Sequence, residues 1–340
     1  MQNIMQRFRF PILLLLALLF LPGCASTPEK QSALQQRANY SEEIITNRQG
    51  LHLFARTWQA SEPATATIII LHGTALHGGV YESVAKKLNS AGFRVFALDM
   101  QGWGRSEGKG AHGYVESFDD YVKDTFEVLN ILRMRYPGTP NYVLGENLGG
   151  TVAVYGVLKE GLWIDGIITC PIAYKPRPEL LGFRAPGFLS TIALTTVTWW
   201  GRAAPKAPVM DANVSLRLLF DNDALKKMLL DDPYVAHGLI PAAYVSTLAD
   251  AMDYTEKNLE AFKLPILLLQ GDQDRLVPTS SSQEVFDKVA SREKEMRVYH
   301  SAHSVLLESS GDQAIQDVIS FVNKSVKNNV VTQTEKGVAY

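Results

Sequence analysis

The feature that most limits what this chain can fold into is the alternation of short apolar runs with amphipathic stretches. The runs at 66–71 (ATIIIL), 93–98, 142–144, 164–170, 265–270 and 296–300 are short and largely apolar, with β-branched residues prominent in several. Between them lie helical patterns such as 118–135 and 281–289. A strand apolar at successive positions is covered on both faces, so this order predicts a mostly parallel sheet with helices on both sides, an α/β fold. One stretch breaks the rhythm. From about 171 to 259 the chain shows Pro and Gly breaks, a Thr-rich run into Trp199-Trp200, and helical patterns at 216–230 and 242–262. An insertion placed after a central strand would sit over the carboxyl ends of the strands, where open α/β sheets bind ligands. The expectation is one α/β domain over 43–340 with a helical cap over about 171–259.

Size and charge agree with such a domain. The 340 residues are 46% hydrophobic and 20% charged, enough for one large core plus an insertion. A net charge of -2 and the absence of a dense Lys/Arg block argue against nucleic acid as a partner. The first residues read differently. Arg7 and Arg9 precede the apolar run 10–20 and the sequence Leu21-Pro22-Gly23-Cys24. The run falls short of the roughly 20 residues a spanning helix needs and matches a secretory signal. Leu-x-Gly-Cys resembles the lipobox of bacterial lipoproteins, which implies cleavage before Cys24 and lipid on that cysteine. An uncleaved signal with an incidental cysteine is the alternative. Ala25 after the cysteine resembles an outer-membrane sorting signal, which implies a periplasm-facing envelope protein. Residues 1–23 are thus expected to be the signal and 24–42 a polar tether. With Cys24 lipidated only Cys170 remains, so no intramolecular disulfide can form, and Cys170 reads as a small buried hydrophobe.

The segments that follow the strands carry the chemistry. They are His72-Gly73-Thr74, Asp99 to Gly108 (DMQGWGRSEG), Gly145-Glu146-Asn147-Leu148-Gly149-Gly150, Gly271-Asp272-Gln273-Asp274 and Ala302-His303. Together with HGTALHGGVYESVA and HGYVESFDDYV, this ordered set resembles the monoacylglycerol lipase and lysophospholipase branch of the α/β-hydrolases, serine aminopeptidase S33-like. The likeness extends to plant members that cleave aromatic esters and runs from about Ile45 to the terminal helix. The resemblance implies that Asp274 is the triad acid and His303 the general base. His303 is preferred over His300 because His303-Ser-Val-Leu-Leu-Glu308 keeps the family's histidine-to-glutamate spacing. It also implies that the backbone N–H groups of Thr74 and Leu148 form the oxyanion hole, with no cofactor and no metal. In that chemistry an ester carbonyl becomes a tetrahedral oxyanion and fixed donors stabilise its developing charge. His77 reads as a structural hydrogen-bonder, and His52, His112 and His237 as surface residues without a metal-ligand pattern.

The departure is at the nucleophile. The elbow motif Gly-x-Ser-x-Gly needs a hydroxyl at its apex, and here the apex is Asn147. Histidine cannot turn a carboxamide into an alkoxide, and loss of the serine costs roughly a million-fold in turnover in a serine protease. Ser280 to Ser282 after Pro278 predict a helix N-cap, and Ser106 belongs to another loop, so neither replaces it. Asparagine enters positive φ more readily than most residues, so the elbow can tolerate the exchange. Three readings remain open: a hydrolase-family protein with serine-hydrolase activity impaired or lost and an acyl-ester pocket retained; an active hydrolase using water activated by His303 or a deamidated Asn147; and a non-catalytic envelope-binding or scaffold lipoprotein. The presence of both Asp274 and His303 favours the first over the third. Monoacylglycerol, lysophospholipid and aromatic esters all suit such a pocket as ligands.

Overall fold

The computed structural model describes residues 39–335 apart from 62, 176–194, 197 and 200. Among the described residues, ten strands form two sheets. The large one has eight strands in the order β1-β2-β4-β3-β5-β6-β9-β10. They are β1 (Tyr40–Thr46), β2 (His52–Trp58), β3 (Thr67–Leu71), β4 (Arg94–Leu98), β5 (Asn141–Asn147), β6 (Gly166–Ile172), β9 (Ile266–Gly271) and β10 (Lys294–Tyr299). From β4 across to β10 every pairing is parallel, while β2 runs antiparallel to both β1 and β4. The sheet is therefore mostly parallel with helices, as the alternation of apolar runs predicts.

The reason lies in the two faces of the strands. Side chains alternate across a strand, so Ile69, Leu71, Phe96 and Leu98 enter one core and Ile68, Ile70, Val95 and Ala97 the other. The first core is closed by Val122, Val128, Leu129 and Leu132 of α2 (Asp119–Arg135) and by Val152 and Ala153 of α3 (Leu148–Glu160). The second is closed by Val84, Ala85 and Leu88 of α1 (Glu82–Ser90) and by Ile315, Val318, Phe321 and Val322 of α8 (Gly311–Glu335). Interior strands buried on both faces carry apolar residues at most positions, which is why they read as near-continuous runs.

The structure departs from the sequence expectations in places. Strands β1 and β2 had no apolar run to announce them. Most of β1 is exposed, and its pairing with β2 brings Tyr40 onto Trp58, ring centroids 5.2 Å apart. It begins at Tyr40, inside the stretch expected to be tether. The pattern at 216–230 is two helices, α4 (Ala212–Leu219) and α5 (Asp223–Asp231). Asn222 ends the continuity, because its side chain accepts from Leu225 N and caps α5. The next pattern is α6 (Ala242–Asn258), followed by a 3₁₀ turn, Leu259–Ala261, in place of the last helical turn. Two short strands, β7 (Pro208–Asp211) and β8 (Leu239–Pro241), pair antiparallel within the cap. Finally, α7 (Thr279–Lys288) has Pro278 in extended backbone at its N-cap, with no side-chain cap hydrogen bond, and Ser281 and Ser282 are buried inside the helix, so the expected serine N-cap is not formed. The signal, Cys24 and cap residues 176–194 lie outside the described residues.

Candidate active site

The site begins where the sheet's carboxyl edge meets its loops. After β3, His72 is fully buried and neutral: its Nδ1 donates to Gly73 O (2.8 Å) and its Nε2 accepts from Met100 N (3.0 Å). Burial, only partly offset by these contacts, pushes its pKa down to about 4. The imidazole thereby clips the turn after β3 to the loop after β4. In that second loop Asp99 accepts from Arg56 Nη1 (2.6 Å), Gly78 N (2.8 Å) and Arg105 N (2.9 Å), a buried carboxylate satisfied on both oxygens. His77 is the structural residue its context suggested. Its Nδ1 accepts from Gly79 N, and its Nε2 lies 3.1 Å from Asp232 in the cap.

The elbow follows β5. Asn147 has φ 46° and ψ -101°, a left-handed turn between strand and helix. The turn works only with glycine around it. A Cβ on Gly149 would lie 2.0 Å from Leu71 O, and one on Gly145 would lie 2.4 Å from Gly150 N. Both obstacles are backbone, so α3 can start directly beside β3 only because these side chains are absent.

The base comes from two further loops. His303 is 2% exposed. Its Nδ1 donates to Asp274 Oδ2 at 2.8 Å, and Asp274 Oδ1 accepts from Leu276 N (2.8 Å) and Val277 N (3.0 Å). Burial lowers the pKa of His303, but the charge and hydrogen bond of Asp274 together with the charge of Glu146 outweigh it, and the net direction is upward. His300 is exposed and lies 3.2 Å from Asp272, away from this pair.

The Asn147 carboxamide sits at the centre of the site. Its Nδ2 donates to His303 Nε2 at 3.1 Å, and its Oδ1 accepts from Thr74 Oγ1 at 3.1 Å. A threonine hydroxyl has one proton, so the second contact of Thr74 Oγ1 is accepted from the hydroxyl of Tyr244 on α6. The hydrogen bonds therefore run in one direction: Tyr244 to Thr74, Thr74 to Asn147, Asn147 to His303, and His303 to Asp274. When His303 is neutral, the chain selects its Nδ1–H tautomer and directs its one lone pair at Asn147. In the serine hydrolases that lone pair receives the nucleophile's proton. Here it receives an amide proton that is not surrendered. Beside this chain, the backbone N–H groups of Thr74 and Leu148 donate to no protein acceptor among the described residues.

The remaining sequence candidates lie elsewhere. Ser106 Oγ donates to Asp99 O and accepts from Phe54 N, and Ser282 Oγ donates to Gln270 Oε1. His52, His112 and His237 are exposed. No group of three or more His, Cys, Asp or Glu side chains among the described residues is placed to hold a metal ion. Cys170 is buried with Sγ 3.9 Å from His303 O, and burial pushes its thiol pKa up. Sequence reasoning missed Tyr244, which reads as one more apolar position of a cap helix, and the buried Glu146.

The model of the family "Serine aminopeptidase, S33" matches residues 62–310. A monoacylglycerol lipase of Mycolicibacterium smegmatis is 28% identical over 286 residues, covering 83% of this chain and 96% of its own length. The crystal structure of Paleococcus ferrophilus monoacylglycerol lipase superposes with a TM-score of 0.68 at 23% identity, covering 80% of this chain and 99% of that one. A soluble variant of monoglyceride lipase from Saccharomyces cerevisiae, in complex with a substrate analog, gives 0.72 at 16% identity, covering 83% and 94%. The family match spans most of the chain and the elbow, acid and base motifs all fall inside it: the chain belongs to the serine aminopeptidase S33 family of α/β-hydrolases, in its monoacylglycerol lipase-like branch.

Proposed function

We propose that this protein is a lipid-ester-binding member of the branch in which serine-hydrolase turnover is impaired or lost. The observation that carries the reading is the Asn147 carboxamide, held between Thr74 Oγ1 and His303 Nε2 at 3.1 Å on each side. A hydroxyl there would lie within reach of a base already oriented by Asp274, and a carboxamide in the same place only occupies that base. The same contact counts against water activation by His303, because a water would have to displace the Asn147 amide before reaching the lone pair. The retained parts support binding. The Thr74 and Leu148 N–H groups are free to meet a carbonyl oxygen. Relatives named as monoacylglycerol and monoglyceride lipases point to an acyl ester as the ligand class.

The proposal places this domain at the bacterial envelope, held by lipid on Cys24 and facing the periplasm. The lipobox-like Leu21 to Cys24 and the polar stretch after it support that placement. Binding is tested by titrating a non-hydrolysable monoacylglycerol ether into the natural protein and following heat or intrinsic tryptophan fluorescence. Saturable binding that Thr74→Pro abolishes, by removing one oxyanion donor, supports the reading. No binding at any chain length, with the fold intact, would favour an envelope scaffold with no working pocket.

A further inference from the structure

Glu146 stands outside the hydrogen-bond chain described so far, yet it is one of the few carboxylates sealed in the core among the described residues, at 1% exposure. It immediately precedes Asn147, and its surroundings come from the segments that carry the rest of the site. Ser304, the residue after His303, donates its hydroxyl to Glu146 Oε2 at 2.6 Å. Tyr81 accepts from Gly73 N at 3.2 Å, and its hydroxyl lies near enough to Glu146 to favour the carboxylate. Glu146 Oε1 packs against Gly73 so closely that a Cβ there would lie 3.1 Å away. One carboxylate thus ties the elbow to the turn bearing Thr74 and to the loop bearing the base.

The charge on this group also has a direction. The titratable groups facing it are Tyr81 from the turn before α1, Cys170 from β6, His303 with its neighbour Ser304, and Asp274 from the loop after β9. Neither lysine nor arginine is among them. A buried carboxylate without a cation is costly, and the one group here that can supply positive charge is the His303 imidazole. We propose that Glu146 is a positioning residue and the second carboxylate of the base, so that His303 is held and electrostatically tuned by Asp274 on one side and Glu146 on the other. Removing the charge while keeping the shape therefore alters His303 itself and not merely the packing. Burial first of all, against the opposing pull of His303, Ser304 and Tyr81, pushes Glu146 up to about 7, while its own negative charge helps to raise His303, so the two titrate as a coupled pair. None of this requires that the chain turn over an ester.

The test uses the natural full-length protein and reads His303 by NMR, its imidazole resonance assigned by loss in His303→Gln. In Glu146→Gln the amide still accepts from Ser304 but carries no charge. The expected result is a His303 titration lowered by roughly one pH unit, as removal of a nearby negative charge requires, and reduced to a single step. In the natural protein the same resonance should show two inflections. Glu146→Asp, which restores a carboxylate, should recover part of the shift. An unchanged His303 titration in a folded Glu146→Gln protein overturns the proposal even if stability falls, because a purely structural role would lower stability alone. Should Glu146→Gln fail to fold, a single inflection in the natural protein overturns it equally.

Discussion

The one-directional hydrogen-bond chain has a thermodynamic consequence that can be worked from its members. Tyr244 is 1% exposed and its hydroxyl donates to Thr74 Oγ1, which in turn donates to Asn147 Oδ1. Thr74→Val keeps the side chain's shape but leaves the Tyr244 hydroxyl and Asn147 Oδ1 without partners. A buried polar group left unsatisfied costs about 1–3 kcal/mol, and Asn147 can relieve part of its share by rotating, so the expected loss is about 2–3 kcal/mol. Tyr244→Phe removes the outermost donor and leaves the other three bonds intact, for an expected loss of about 1 kcal/mol. In the double variant a valine methyl faces a phenyl edge and the stranded hydroxyl is gone. The two losses should then fall short of additivity by about 1–2 kcal/mol, the coupling expected of groups in direct contact. Urea unfolding followed by circular dichroism at one pH measures all four proteins. Additivity within about 0.5 kcal/mol would show that Tyr244 and Thr74 do not act as linked members of one chain.

Two further outcomes follow from other parts of the molecule. Asp124 is buried with Asn47 Nδ2 on Oδ1 at 2.8 Å, and burial pushes its pKa from 3.8 to about 7. Folded-state pKa above unfolded means that the stability it contributes is complete below about 4 and is lost as pH rises through 7. Asp124→Asn should therefore gain stability relative to the natural chain as pH rises across that window. A constant difference in melting temperature between the two would refute this. For the N-terminus, Cys24→Ala should shift the protein out of the membrane fraction or leave its signal uncleaved, as fractionation and intact mass would show; unchanged membrane fractionation with a mature N-terminus would rule out lipid on Cys24.

What the sequence conveyed about this fold depended on where each residue faces. Strands β3, β4, β5 and β9 were legible because both of their faces are buried, and each position therefore had to be apolar or specifically paired. Strand β1 was not, since an exposed edge strand such as YSEEIIT is free to be polar. The break between α4 and α5 turns on one asparagine cap inside a continuous amphipathic pattern, and a pattern does not register such a stop. At the site, the family resemblance pointed to Asp274 and His303, and their 2.8 Å hydrogen bond is in the structure. The positive φ at Asn147 was likewise legible, because an elbow demands it. Tyr244 and Glu146 were hidden for opposite reasons. Tyr244 looks like an ordinary apolar helix position until its hydroxyl is seen on Thr74. Glu146 stands in a motif whose neighbours attract all the attention, and its burial is a tertiary fact.

The central claim is that a single hydroxyl separates this site from a working hydrolase. It is tested most directly by the steady-state hydrolysis of a p-nitrophenyl acyl ester by the natural protein and by Asn147→Ser, each with and without His303→Ala. The natural protein should stay near background. Asn147→Ser should be faster by several orders of magnitude, because the serine's proton would pass to a base that Asp274 already orients, beside backbone N–H groups that are still free. That gain should vanish when His303 is removed. Rapid, His303-dependent turnover by the natural protein would contradict the account, as would a folded Asn147→Ser protein no faster than its parent.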